Sequence, residues 1–294
     1  MANLKEVRTR ISSVKSTMQI TSAMKMVAAS KLRRAQNAIV TMRPYASKLQ
    51  EIMQNLSASL EGSSDGVFGA DRGSNKVLII PISSNRGLCG AFNANVMKET
   101  VSAIEGEYKQ QYEDGNVDIF CIGNKTADLL KSRSYVAKQV NHEIFDDLTF
   151  DNVVAIAEDL MQKFSEGKYD KVILVYNQFK NAATQILIKE QLLPLSEPKP
   201  AEEDISLQSD YIFEPGKQEI LDELVPKTIK IQLYKAILDS FASEHGARMT
   251  AMHQATDNAN ELLKELKLTY NKARQAAITN EILEIVGGAE ALNA

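Results

Sequence analysis

A possible phosphate-binding segment is Gly123-Asn-Lys-Thr126, which lies between a predicted strand and a predicted helix. Glycine-rich loops in that position bind phosphate when one glycine directly precedes the lysine and a second lies five residues earlier. In this chain those two positions are Asn124 and Ile119, and no G-x-G-x-x-G pattern follows any predicted strand. We therefore interpret the segment as an ordinary strand-to-helix turn and expect no nucleotide or other cofactor to bind there.

Cysteine and histidine, the usual nucleophiles and metal ligands, are few in this chain. Cys89 lies in the turn Gly87-Leu-Cys-Gly90, with no histidine near it in the sequence to activate its thiol. Cys89 and Cys121 are the only cysteines, which suits a reducing compartment and gives no disulfide or metal framework. His245 and His253 are too far apart on one predicted helix to share a metal ion. Because no pair of carboxylates suits acid–base chemistry either, we predict a protein that is not itself an enzyme.

The longest pattern in the chain is an apolar repeat over residues 1–60. A 3.5-residue repeat of this length predicts a coiled-coil helix of roughly 85 Å, with a partner helix beside it. Pro44 predicts a bend within one helix rather than a break, because the repeat continues beyond it. Thr21 and Lys25 are the only polar positions in the repeat. Its members are Leu4, Val7, Ile11, Val14, Met18, Thr21, Lys25, Ala28, Leu32, Ala35, Ile39, Met42, Ala46, Leu49, Met53, Leu56 and Leu60.

The middle of the chain alternates short apolar runs with helical stretches. This alternation predicts βαβ units and a largely parallel sheet in a Rossmann-like α/β domain, residues 76–213. A linker rich in Gly, Ser and Asp, residues 61–75, separates this domain from the first helix. Strands are predicted at 76–83, 117–122 and 171–176, edge strands at 184–189 and 210–213, and helices at about 91–112, 124–132 and 150–166.

A second long helix is predicted within residues 214–294. Pro226 either kinks this helix or marks its start, and Gly287-Gly288 is expected to end it after Val286. The predicted fold is therefore an antiparallel coiled coil of long N- and C-terminal helices with a central Rossmann-like α/β domain. The apolar positions of the second helix are Leu224, Ile231, Leu238, Ala242, Met249, Met252, Ala259, Leu263, Leu266, Tyr270, Ala273 and Ala277.

Positive charge is concentrated in residues 1–50, which contain ten Lys or Arg and a single acid, Glu6. A basic helix suggests an acidic partner, a nucleic acid or an anionic membrane surface, although a solvated basic face explains the charge equally well. Nucleic-acid binding is disfavoured because one face of the helix already forms the apolar repeat and no aromatic residue precedes Tyr45 for base stacking. A coiled-coil scaffold or tether with an α/β recognition domain remains an alternative.

The helix ends are smooth and apolar, whereas the exposed end of a coiled coil is normally polar. Residues 21–30 are small or slender on nearly every face, and the C-terminal helix has several alanines near its end. Apolar residues then occupy more than one face of that helix, which predicts a tip enclosed by another protein. These apolar residues are Ile278, Ile282, Leu283, Ile285 and Val286.

Four motifs carry a resemblance to a known family. They are Met24-Lys-Met-Val-Ala-Ala-Ser-Lys-Leu-Arg-Arg-Ala-Gln36, Ser84-Asn-Arg-Gly-Leu-Cys-Gly-Ala-Phe-Asn93, Ser243-Glu-His-Gly-Ala-Arg-Met249 and Tyr270-Asn-Lys-Ala-Arg-Gln-Ala-Ala-Ile-Thr279. In this order they closely resemble the gamma subunits of F-type ATP synthases, and the resemblance spans the whole chain. The middle domain lacks an added cysteine-bearing insert, so the resemblance favours a bacterial form over the redox-regulated chloroplast form.

The resemblance implies a central-stalk rotor that is not itself catalytic. In that family, proton flow turns a membrane ring of c subunits, and the stalk couples this rotation to conformational cycling of a catalytic hexamer of alpha and beta subunits. The implied partners are alpha, beta, epsilon and the c ring, with no nucleic acid. With no apolar run long enough to span a bilayer and no secretory signal, we expect peripheral association, through the complex, with the cytoplasmic face of a bacterial inner membrane.

The resemblance also implies contact residues, carried over only where the motifs align. On the C-terminal helix, the positions that match contacts with the acidic catch loops of beta are Arg248, Arg274, Gln275 and Thr279. On the N-terminal helix, the facing stretch and its basic extension contain Met24, Lys25, Arg33 and Arg34. Thr21 and Lys25, the two polar positions of the repeat, fall in the same zone. We therefore expect both to contact the surrounding subunits rather than the partner helix.

Overall fold

The computed structural model describes residues 4–59, 68–69, 72–195 and 216–293. The predicted strand at 210–213 and most of the predicted linker lie outside these residues. In order, the elements are α1 (Leu4–Ser59), β1 (Val77–Pro81), α2 (Phe92–Glu105), α3 (Lys109–Glu113), β2 (Val117–Ile122), α4 (Asn124–Lys131), β3 (Gln139–Asn141), a 3-10 turn (Glu143–Phe145), α5 (Phe150–Ser165), β4 (Lys171–Phe179), β5 (Gln185–Leu193) and α6 (Lys217–Asn293).

The chain forms two compact units. The first, which we call the coil unit, contains Met1–Ala29 and Arg248–Ala294, and the second, the sheet unit, contains Ser30–Ala247. Each terminal helix contributes residues to both units. The boundaries of the two units therefore differ from the boundaries of the segments predicted from the sequence. The exact domain boundaries therefore stay a prediction.

The two long helices confirm the predicted coiled-coil elements, with one correction. Helix α1 is continuous through Pro44, and α6 begins at Lys217, so Pro226 lies inside the helix rather than at its start. The prediction that Gly287-Gly288 ends α6 is wrong, because the helix continues to Asn293. Glycine only permits a left-handed cap, and here Ala, Glu and Leu follow the pair and favour continued helix.

The apolar repeat of α1 lies on the buried side of the helix. Every repeat position from Leu4 to Leu49 is buried or half-buried, whereas most of the residues between them are exposed. In the coil unit, the most buried apolar positions of α6 are Met252, Ala259 and Leu266, which all belong to the predicted repeat. The 3.5-residue spacing therefore identified the packed stripe of both helices.

The sheet unit contains a five-stranded sheet in the order β3-β2-β1-β4-β5. Strands β1 to β4 are parallel, and β5 pairs with β4 in the antiparallel direction. Strand β5 lies at one edge of the sheet, where the sequence predicts an edge strand at 184–189. The predicted helix at 91–112 is two helices, α2 and α3, which separate at Gly106. The sequence reading missed β3, because its three residues are largely exposed and form no apolar run.

Side chains on the two faces of the sheet form two hydrophobic cores. Along β1, Leu78 and Ile80 pack with residues of α5 and α6, while Val77 and Ile79 pack with residues of α2. Alternation along a strand places successive side chains on opposite faces, so both faces of a central parallel strand can be covered by helices. This three-layer arrangement is the predicted Rossmann-like domain.

Candidate partner-contact site

Thr21 lies inside the coil unit, facing the partner helix. Its side chain is 9% exposed, and its Oγ1 lies 2.8 Å from the Oγ1 of Thr256 on α6. The expectation that Thr21 turns towards surrounding subunits is therefore wrong, because the hydroxyl finds a polar partner across the seam. Lys25 is half-buried, and its contact with another subunit stays a prediction.

The Thr21–Thr256 contact also fixes which residues lie at the same level of this antiparallel pair. Four residues forward from Thr21 is Lys25, and four residues back from Thr256 is Met252, so these two lie level with each other. By the same count, Leu4 at the start of α1 lies level with Ala273 on α6. Residues of α6 beyond Ala273 therefore extend past the described part of α1.

The predicted contact residues of the coil unit fall at two levels. Met24 and Lys25 lie near the level of Arg248. Arg274 is 26 residues beyond Arg248 along α6, which is about 39 Å at 1.5 Å per residue. Gln275 follows Arg274 directly, and Thr279 lies one helical turn beyond Gln275, whose carbonyl accepts a hydrogen bond from the Thr279 hydroxyl at 2.9 Å.

Exposure differs sharply among these residues. Arg274, Gln275 and Thr279 are exposed, whereas Arg248 is only 8% exposed within the chain itself. Arg33 and Arg34 belong to the sheet unit and are exposed. The exposed residues can meet a partner without rearrangement, whereas the buried guanidinium of Arg248 is largely covered by its own chain.

Beyond Ala273, α6 presents apolar side chains to solvent. Ile278 is 47% exposed and Ile285 is 72% exposed, and every residue from Ile278 to Gly288 is exposed. Large apolar groups on several faces of one helix end are unusual on a free surface and mark a binding site. We call residues 278–286 the apolar tip. The sequence pattern had identified it.

The turn after β2 has no backbone donors available for a phosphate. The amides of Asn124, Lys125 and Thr126 donate to Asn85 Oδ1, the Ser84 carbonyl and Ser83 Oγ respectively. Anion sites at helix N-termini depend on unpaired amides, and here those three are already bonded. The arrangement matches the interpretation of an ordinary turn.

The two cysteines are packed inside the sheet unit. Cys89 Sγ accepts a hydrogen bond from Asn93 Nδ2 at 3.2 Å, and the thiol is buried. Burial raises the pKa of Cys121 to about 12, which keeps that thiol protonated at neutral pH. Over the described ranges, no three His, Cys, Asp or Glu side chains come together as a metal site, and no helix is long and apolar enough to span a membrane.

Comparison with known proteins agrees with this architecture. Residues 3–292 match the family described as ATP synthase. The chain is 61% identical over 294 residues to the ATP synthase gamma chain of Flavobacterium johnsoniae, covering 100% of both proteins. The ATP synthase gamma chain of Cytophaga hutchinsonii is 53% identical over 294 residues, again covering 100% of both proteins.

A solved structure with a similar fold comes from the central stalk and c ring of the Tetrahymena thermophila mitochondrial ATP synthase. That chain is 25% identical, with a TM-score of 0.58, and the match covers 80% of this chain and 99% of the other. Both long helices and the α/β sheet of this chain are thus compatible with a known stalk architecture.

Proposed function

The chain belongs to the ATP synthase family as a bacterial gamma chain, and we propose that it works as the central-stalk rotor of that enzyme. Rotation of a membrane ring, driven by protons, turns the chain, and the turning chain drives the catalytic alpha and beta subunits through their conformational states. The chain itself carries no catalytic residue in this proposal. Two observations support a non-catalytic role: the amides at the turn after β2 already donate hydrogen bonds within the chain, and the cysteines are packed in the interior.

The apolar tip is the observation that carries the proposal. Large aliphatic groups exposed on several faces of one helix end are favourably removed from water when another protein surrounds them. A sleeve formed by the alpha and beta subunits would cover all of those faces while leaving the helix free to turn. A flat partner, such as the recognition surface of a tether, would cover only one of them.

The remaining partners follow from the same proposal. The similar stalk chain was solved with a c ring, so we propose that the sheet unit meets the c ring and the epsilon subunit. Membrane association is then peripheral, on the cytoplasmic face of the inner membrane. We propose that eight residues contact the catch loops of beta. Arg248 is buried within its own chain, Met24 and Lys25 are half-buried, and the exposed members are Arg33, Arg34, Arg274, Gln275 and Thr279.

Rotation can be observed directly with one engineered label. Val136 is 80% exposed in the sheet unit, whereas both native cysteines are buried, so a maleimide should label V136C selectively. A bead attached at this position, on a complex whose alpha and beta subunits are fixed to glass, should rotate in one direction when ATP is added. Complexes with the unsubstituted chain serve as the control and should bind no bead.

Two results would contradict the proposal. One is a complex that hydrolyses ATP normally while the bead stays stationary. The other is a chain that does not assemble with alpha and beta subunits at all, which would favour the alternative of a coiled-coil scaffold or tether.

A further inference from the structure

The sheet unit has the strand order that normally creates a ligand crevice. From β1 the chain proceeds to β2 and β3 on one side, then crosses back to place β4 on the other side of β1. In open α/β sheets, ligands bind at the carboxyl ends of the strands where the order reverses in this way. Here that point lies between the end of β1, near Ile82, and the end of β4, near Asn177.

Helix α6 fills this crevice through two serines. Ser240 Oγ donates to the Ile82 carbonyl at 3.3 Å, and Ser243 Oγ donates to the Asn177 carbonyl at 2.9 Å. Both serines are buried, and their spacing of three residues places them on one face of the helix. The two hydroxyls therefore bond to β4 and to the residue that directly follows β1, on either side of the crevice.

One helical turn further on, Gly246 allows close contact with the β4–β5 connection. A Cβ at this position would lie 3.3 Å from both the Cα and the carbonyl oxygen of Ala182, and 3.5 Å from the Phe179 ring. The two shorter distances are tighter than side chains normally tolerate, so alanine would push the helix away from the turn. Ser240, Ser243 and Gly246 thus form three successive contacts along one face, which we call the crevice joint.

Burial around the joint is unusually complete for a helix of mixed composition. From Ala236 to Gly246 every residue is buried except Phe241, which is half-buried, although the segment includes Asp239, Glu244 and His245. A helix buried on all sides normally has an apolar sequence. Polar residues retained in such a position fix orientation, because hydrogen bonds are directional and apolar contacts are not.

We propose that the crevice joint transmits torque between the sheet and α6, with the helix occupying the crevice in place of a ligand. This inference rests on the proposed rotor function. The hydrophobic effect stabilises contact between helix and sheet but is non-directional, so it does not by itself select one orientation of the helix about its own axis. Two hydrogen bonds to different strands and one close backbone contact oppose that rotation directly. Ser240, Ser243 and Gly246 are therefore positioning residues for coupling.

Torsional stiffness is the property that tests the joint. In the complex with a bead on V136C, turnover is stopped so that the alpha and beta subunits hold the tip, and the angular fluctuations of the bead are recorded. Removing two of the three contacts with S240A/S243A should raise the angular variance about twofold. The rate of ATP hydrolysis should stay unchanged, because neither serine lies in the apolar tip.

The matched control removes a hydroxyl from the same helix without touching the sheet. Thr228 Oγ1 donates to the Leu224 carbonyl within α6, so adding Thr228→Val to V136C should leave the angular variance at the value measured with V136C alone. Gly246→Ala provides a second, independent test of the joint. It should raise the variance by displacing the helix from the β4–β5 connection without removing either serine hydroxyl, and it serves as the deciding variant should S240A/S243A assemble poorly.

The joint and the rotor function fail in different ways. Angular variances of S240A/S243A and Gly246→Ala that equal those of the control would overturn the joint while leaving rotation intact. A stationary bead on the complex that carries V136C alone, during ATP hydrolysis, would instead overturn the rotor function. Broadened fluctuations in Thr228→Val as well would show that any hydroxyl loss on α6 softens the helix, which would also overturn the joint.

Discussion

The hydroxyl pair of Thr21 and Thr256 should behave as one interacting unit in the coil. The oxygens lie 2.8 Å apart, and each is also close to a carbonyl of its own helix, at 3.0 Å for Met18 and 2.8 Å for Met252. Each hydroxyl has a single hydrogen, so two hydrogens serve three contacts. Removing one hydroxyl frees the other to bond its own carbonyl, and the surviving group is not left without a partner.

This geometry limits the size of the effect. Thr21→Val and Thr256→Val should each lower the local unfolding free energy by about 0.5–1 kcal/mol, because one hydrogen bond is lost but no polar group is left without a partner. The double variant should lie within about 0.5 kcal/mol of the unsubstituted chain, since the bond is lost once and the two valine methyls gain apolar burial. The coupling energy of the double-mutant cycle is then about 1 kcal/mol.

Amide hydrogen exchange can measure this coupling energy within the coil unit alone, which is useful because the chain has two compact units. The measured quantity is the opening free energy of amides near Thr21 and Thr256 in the full-length chain. Thr9→Val with Thr269→Val is the matched control pair. Each of these exposed hydroxyls donates to a carbonyl four residues back in its own helix, so their coupling energy should be near zero. If the effects of Thr21→Val and Thr256→Val add within experimental error in the double variant, the two hydroxyls do not interact and the prediction is wrong.

Three further outcomes are expected. Gly123→Ala should destabilise the sheet unit by about 3 kcal/mol in denaturant unfolding, because its φ is 98° and a Cβ would overlap the Ser83 carbonyl; Gly115→Ala, with open space, should cost about 1 kcal/mol. Gln275→Ala should lower coupled ATP synthesis roughly twofold to tenfold with normal assembly, and unchanged synthesis would remove this residue from the contact site. Burial and the Glu190 carboxylate raise the pKa of Tyr176, so the folded state retains a proton that the unfolded chain loses near pH 10. The free energy of unfolding should therefore keep the full contribution of Tyr176 below about pH 9 and should fall above pH 10. Tyr176→Phe should make that alkaline slope less steep, and part of the slope should remain because burial also raises the pKa values of Tyr108 and Tyr169.

Gln275 is the better choice for the coupling test because of where the structure places Arg248. With Arg248 buried inside the chain, its loss would disturb packing as well as any contact with beta, and the two effects would be inseparable. An exposed amide that can be removed without altering the interior isolates the contact.

The sequence predicted the elements whose pattern reflects burial. The strand predicted at 117–122 is β2, and the apolar repeat that begins at Leu4 is the buried stripe of α1. In both cases the spacing of apolar residues follows the geometry of one element against a continuous core. Such a pattern needs no knowledge of which particular side chain lies opposite.

Features that depend on a specific partner could not be predicted in this way. A threonine in an apolar repeat gives no sign that a second threonine lies opposite, so Thr21 was assigned to an outside contact. Likewise, the motif that placed Arg248 among the contact residues gave no sign of its burial, since burial of a guanidinium depends on polar neighbours that are distant in the sequence. The crevice joint was missed for the same reason, because its serines bond to carbonyls of strands that are 66 and 158 residues away.

The placement of helix-weakening residues along α6 supports a mechanical role for this helix. Between Pro226 and Gly287 the sequence contains no proline and a single glycine, Gly246. Glycine inside a helix costs about 1 kcal/mol relative to alanine, so a helix that carries load should exclude it unless a contact requires it. Gly246 lies where a Cβ would meet the β4–β5 connection. The one glycine of this stretch therefore lies where the sheet closely approaches the helix, as a joint between them requires.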